Sequence, residues 1–276
     1  GGAMRGKVYV ALSSFTQPRT WRLKLSSMRI NDISENPVIG PSGDEPYFVT
    51  VQFRSRFSTP GSTRVWRGNG PYEFASNLKI GANVDIPANM GQYDFANVQS
   101  FTIADGCRLQ RPEVIGAMVL CLEHDFSPFS DINDLVGAAI DRGVAPALQR
   151  LVETRAIPLT PEATQQLIND SYNLGPQIMN SMQPSTWDIV SLLFNAGFDA
   201  DDFVDYHGFL WLAADPEVEP LLQRPSNLPP KVHFGVLKDT RYEAGAEGPL
   251  IFSGGSVDSH AEHASYTVRG SLTLQP

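Results

Sequence analysis

Cationic side chains are scarce in this chain: 21 Lys and Arg stand against 30 Asp and Glu, a formal net charge of −9. Binding to nucleic acid needs clustered Lys and Arg, so the balance excludes it as the main partner. Cysteine is scarcer, with Cys107 and Cys121 alone. Two thiols make neither a disulfide framework nor a zinc cluster, and leave open one bridge or two unpaired buried thiols. No apolar run reaches the roughly 18 residues of a membrane span, so no transmembrane segment is expected. A signal peptide is also missing. Gly1-Gly2-Ala3-Met4 reads as a cloning scar, so a leader is absent or was trimmed upstream, and a soluble protein of unassigned compartment is expected. There is no Gly-x-Gly-x-x-Gly, no P-loop and no Gly-x-Ser-x-Gly elbow, which removes the motif-bearing nucleotide binders and the α/β-hydrolases.

What is present points to strands. The 276 residues suffice for one large domain or two modest ones, and 42% hydrophobic content suffices for a core. Charged residues make up only 18%, and 23 Gly with 21 Pro imply many turns. Trp21, Leu23 and Leu25 alternate with Arg22, Lys24 and Ser26. Tyr47, Val49, Val51 and Phe53 alternate with Phe48, Thr50, Gln52 and Arg54. Tyr266, Val268, Leu272 and Leu274 alternate with Thr267, Arg269, Ser271 and Thr273. A period of two predicts one row in a core and the other in water. Val114–Leu122 is almost continuously apolar and predicts a central strand buried on both faces. Shorter strands are expected at Val8–Leu12, Phe209–Leu212 and Val232–Leu237. Residues 81–107 read as loop, with one strand near Val98–Ile103.

The middle of the chain changes period and charge. Residues 127–205 hold eleven Asp and Glu against three Arg, a balance of −8 that leaves the rest at −1. Helical spacing runs from Leu135 to Val152. Thr160-Pro161 is a helix start, and Ser185-Thr186-Trp187-Asp188 resembles a capping box. Three or four helices are expected over 130–197. The simplest organisation is a sandwich, 7–126 with 203–276, split by a helical insertion at 127–202.

Acidic residues gather at the ends of the expected strands. Asp44 lies in Gly43-Asp44-Glu45-Pro46-Tyr47, Glu123 and Asp125 in Leu122-Glu123-His124-Asp125, and Asp199, Asp201 and Asp202 precede Phe203. Calcium takes six to eight oxygens at short range, and loops at one end of a sandwich can bring carboxylates together. An EF-hand is excluded for Asp199–Asp205, because Phe203 takes the fifth position and no Gly or terminal Glu is in register.

The run Gly40–Val49 resembles the first calcium loop of C2-type domains, and Met118–Asp125 resembles that family's later strand ending in Asp-x-Asp. Asp201-Asp202-Phe203-Val204 is similar to its continuation. The chain departs from the pattern where Glu45 separates Asp44 from Pro46 and where Glu123 replaces an Asp. The resemblance implies a mainly β fold, a Greek-key C2-like β-sandwich with an inserted acidic helical subdomain, α+β overall. It implies Ca2+ held by Asp32, Asp44, Glu123, Asp125, Asp199, Asp201 and Asp202. The function expected is a non-enzymatic, calcium-dependent binding module that engages a protein partner or a membrane surface through loops at one end. The −8 segment would repel anionic lipid, which favours protein.

Two alternatives stand beside it. One is a hydrolase-type enzyme with a cleft between sandwich and helices, using Glu123, His124, Asp125 and Asp199 as acids and bases. The other is a structural component of a secreted or particle-borne assembly. Arg54, Arg56, Arg64 and Arg67 form a basic ribbon that is either a solvated face or an anion-binding strip. His260 and His263 read as histidines of a polar loop.

Overall fold

The long alternating runs become the long strands. A computed structural model describes residues 18–33, 43–68, 75–99, 103–104, 108–109, 113–123, 142–155, 177, 203–213, 231–237, 241–243, 249–255 and 263–276. The strands, in chain order, are β1 (Arg19–Asp32), β2 (Pro46–Arg56), β3 (Arg64–Arg67), β4 (Asn83–Asp85), β5 (Gln92–Val98), β6 (Ile103–Ala104) and β7 (Arg108–Leu109). They continue with β8 (Glu113–Glu123), β9 (Phe203–Ala213), β10 (Val232–Leu237), β11 (Arg241–Glu243), β12 (Leu250–Gly255) and β13 (His263–Leu274). A one-turn helix, Ala88–Gly91, leads into β5, and residues 142–148 are helical and run into a π-helical turn at Gln149–Glu153.

Two main sheets face each other in a sandwich-like arrangement. The first has the order β11-β13-β1-β4, with β12 also bonded to β13 and β5 also bonded to β1. The second has the order β10-β9-β8-β2-β3 and is antiparallel except for the parallel pair β9–β10. Strands from before residue 124 and from after residue 202 meet in each sheet, as β1 pairs with β13 and β8 pairs with β9. No described helix is long and apolar enough to cross a membrane.

In β1, Trp21, Leu23 and Leu25 point into the core as their spacing predicts, but the row resumes at Met28 and Ile30. The step of three comes from a bulge between Leu25 and Ser27, where the register against β13 shifts. An extra residue in one strand resets the phase of its side chains without breaking the pair.

The second sheet departs from the expectation of one wet face. Both rows of β2 are buried from Pro46 to Phe53, including Thr50 and Gln52. One row (Phe48, Thr50, Gln52, Arg54) faces the first sheet, where Phe48 meets the Phe252 ring edge-on at 5.5 Å. The other row lies beside Met118, Leu120 and Leu122 of β8, all buried. The turn Gln149–Glu153 packs against β2, and Val144, Leu148 and Val152 belong to the same apolar cluster. Val114–Leu122 is the central strand that its composition predicts, buried throughout. Gly116 makes room for the Phe53 ring across the pair: a Cβ there would lie 2.3 Å from Phe53 Cζ and 2.4 Å from the Phe209 carbonyl oxygen.

Residues 81–107 correct the sequence reading. Their described residues hold β4, the short helix and β5, and of the expected strand at Val98–Ile103 the described residues place Val98 at the end of β5 and Ile103 in β6. Val8–Leu12, Cys107 and the expected helices beyond 155 lie outside the described residues, apart from Gln177, which is helical. Cys121 is a buried thiol.

Candidate functional site

The acidic strand ends share one pole of the molecule. Pro46 at the start of β2 is opposite Glu123 at the end of β8, and Leu122 is opposite Phe203 at the start of β9. Asp32, the last residue of β1, is opposite Ser265 of β13. Next to Ser265, Tyr266 donates its hydroxyl to Asp44 Oδ2 at 2.5 Å. The backbone therefore carries Asp32, Asp44, Glu123 and the point of entry after Asp202 to the same end. Asp125, Asp199, Asp201 and Asp202 themselves lie outside the described residues, as does His124.

The side chains at this pole are not equivalent. Asp44 is fully buried, and its backbone forms an isolated two-bond bridge with Leu78. Its carboxylate joins the pole to the interior of β13 instead of facing out. Asp32 is exposed, and its Oδ1 accepts the Ile33 N–H at 3.0 Å, a local turn bond. Among the described residues, no three His, Cys, Asp or Glu are grouped so as to hold a metal ion. The described part of the expected calcium set therefore does not by itself fit an ion.

The basic ribbon is divided by its partners. Arg54 makes a two-pronged pair with Glu113, Nε to Oε1 at 2.6 Å and Nη2 to Oε2 at 2.8 Å. Its Nη1 also donates to the Ala96 carbonyl of β5 at 2.8 Å, which ties the two sheets together. Arg56 Nη2 lies 3.7 Å from the same carboxylate. Arg64 donates to the Gly61 and Thr63 carbonyls at 2.7 Å each. Arg67 is partly buried opposite Val51. Arg54 and Arg56 thus serve a buried glutamate, and Arg64 braces its own turn.

That turn also holds the helical segment. Glu153 is almost fully buried and accepts the Gly61 N–H at 2.9 Å and the Thr63 N–H. Burial alone would push its carboxyl up. The Thr63 hydroxyl, the two N–H groups and the nearby Arg64 more than offset this and leave it below the usual carboxylate range.

A polar cluster near the acidic pole carries no sequence motif. Asp205, His207, Phe209 and Trp211 of β9 point at the first sheet. Asp205 receives the Lys231 ammonium and, at 2.9 Å, the Ser253 N–H of β12. His207 Nδ1 is 2.9 Å from His233 Nε2 of β10, and its Nε2 is 2.8 Å from the Ile251 carbonyl oxygen. The imidazoles stack at 5.1 Å between centroids, and Phe209 stacks on His233 at 5.0 Å. The available signal was Asp205-x-His207 in one strand and His233 in another, polar residues at same-face spacing in otherwise apolar runs. Their meeting depends on a strand pairing across 26 residues that spacing alone does not supply. No protein-family model matches the sequence, and neither a curated protein nor a solved structure matches it, so the site is read from its geometry alone.

Proposed function

We propose that the protein is a non-enzymatic binding module that engages a protein partner at the acidic pole, with calcium held there by carboxylates of the strand-end loops. The observation that carries this reading is the register: Pro46 opposite Glu123, Leu122 opposite Phe203 and Asp32 opposite Ser265. In this reading the loops that leave Glu123 and return at Phe203 are two banks of one site, with the helical insertion at 127–202 between them in a C2-like sandwich. The ligands are Asp32, Glu123, Asp125, Asp199, Asp201 and Asp202. Asp44 is left out, because its carboxylate is turned inward to Tyr266.

The binding reading is favoured over an enzyme by the use of the described acid–base groups. Asp205, His207 and His233 are bonded to one another's strands and to β12, which stabilises the sandwich instead of presenting them to a substrate. Thermal unfolding in millimolar calcium against chelator tests the ion. A ligand at about a hundred times its Kd adds about 2.7 kcal/mol, so Tm should rise by about 5 °C or more. The rise should vanish in the double variant Asp201→Asn, Asp202→Asn. An unchanged Tm in the unsubstituted protein overturns the calcium site.

A further inference from the structure

β12 is bonded to β13 along one edge, and its other edge meets β9 of the opposite sheet. Ile251 and Ser253 stand two apart, so the backbone groups they turn away from β13 share that edge. Strand edges leave such groups in need of partners. Here two side chains of β9 supply them: Asp205 accepts the Ser253 N–H, and His207 Nε2 bonds the Ile251 carbonyl. A carbonyl only accepts, so His207 Nε2 carries a proton. In the neutral ring Nδ1 is then an acceptor, and His233 Nε2–H donates to it across 2.9 Å. The chain of bonds runs from β10 through β9 to β12 and joins the outer strand of one sheet to the edge of the other.

We propose that His207 and His233 form an acid-operated clasp, which holds β10 and the edge of β12 to β9 while both imidazoles are neutral and lets go when they are protonated. A first proton on His207 Nδ1 is accommodated only by reversing the bond, with His233 Nε2 as acceptor. A second proton sets N–H against N–H and cation against cation at hydrogen-bonding distance.

The surrounding groups decide which way the pair leans. Asp205 on β9 favours a cation on His207, whereas Lys231, just before β10, is bonded to Asp205 and opposes it. On β8, apolar Val119 lies across from His207, and the Cys121 thiol lies across from Asp205. No side chain of β12 titrates, and its Phe252 ring meets His207 edge-on at 4.6 Å. Burial therefore dominates: it pushes His207 down, and with the neighbouring His207 charge it pushes His233 down to about 4. The sign follows. An opened pair binds protons below its ordinary value of about 6.5, so the clasp is fully closed above that pH. It weakens as pH falls from there toward about 4, where the closed His233 also protonates.

Amide hydrogen exchange on the full chain between pH 7.5 and 4.5, corrected for intrinsic rates, tests the clasp. The opening constant at β10 and at the Ser253 amide should rise about tenfold per pH unit below about 6.5 for each proton taken up. Amides shared by β1 with β13 and by β2 with β8 should stay protected. His233→Gln keeps an N–H donor for His207 and removes one titration, so it should flatten the rise. Ring proton shifts of the unsubstituted protein give a second measure, with both rings neutral at pH 6. Equal opening in all strands, unchanged protection at β10, an undiminished slope in His233→Gln, or a ring charged at pH 6 overturns the clasp.

Discussion

The first sheet keeps charge outside, and the second takes it in. In β1 the inward row is Trp21, Leu23, Leu25, Met28 and Ile30, and charged Arg22 lies on the outer face with Asp94 of β5. In β2, β8 and β9 both rows are buried, and the row between the sheets includes Thr50, Gln52, Glu113, Asp205 and His207. The apolar row of the second sheet faces away from the first, toward helical residues 142–153. A strand covered on both sides needs no water-facing row, so polar residues within it must be answered by other protein groups. The ion pairs of the two sheets therefore differ in kind: Arg22 with Asp94 is half-exposed, whereas the Glu113 side chain is only 3% exposed beneath Arg54.

Removing one member of the buried pair breaks the comparison most sharply. Glu113→Ala takes the ion partner from Arg54, whose side chain is only 20% exposed, and should cost about 3 kcal/mol in chemical denaturation. Replacing both partners, Arg54→Met with Glu113→Leu, should recover most of that loss. If Glu113→Ala alone is neutral, the pair is not an anchor between the sheets.

Glu153→Gln has the next largest effect, because the turn N–H groups keep an acceptor but lose its charge. A loss of about 1–2 kcal/mol is expected. The folded carboxyl lies below its usual range, so its contribution is present above the ordinary pKa and is lost as pH falls through the folded value. The variant should lack that part of the acid dependence. A parallel acid profile for variant and parent would show that Glu153 does not hold the turn.

Asp94→Asn should have the smallest effect. Its bond to Arg22 is short, 2.7 Å, but both side chains are more than a third exposed, and water screens the pair. Stability close to the parent, unchanged by added salt, is expected. A loss comparable to Glu113→Ala would erase the distinction between the sheets.

Several of these features could be read in the sequence. Trp21-x-Leu23-x-Leu25 marked a half-buried strand, and Val114–Leu122 marked a central one, because period two and unbroken apolarity are local. β5 was not legible because Gln92–Val98 mixes Tyr93, Phe95 and Val98 with polar residues, and Asn97, one residue before its end, has a φ of 55° that breaks the regular extension. The acidic strand ends were visible as residues, but the inward turn of Asp44 was not. It depends on Tyr266, 222 residues away.

The sequence by itself determined where the chain extends and where acid collects, since backbone alternation and local charge depend only on neighbours along the chain. Only the tertiary structure decided which strand face stays dry and which charges pair. Thr50 alternates like a water-facing residue yet lies inside, and His207 meets His233 only because β9 and β10 run in parallel register. Burial and pairing are properties of contacts between distant segments. The free energy of a carboxylate or an imidazole is set by what those contacts place beside it.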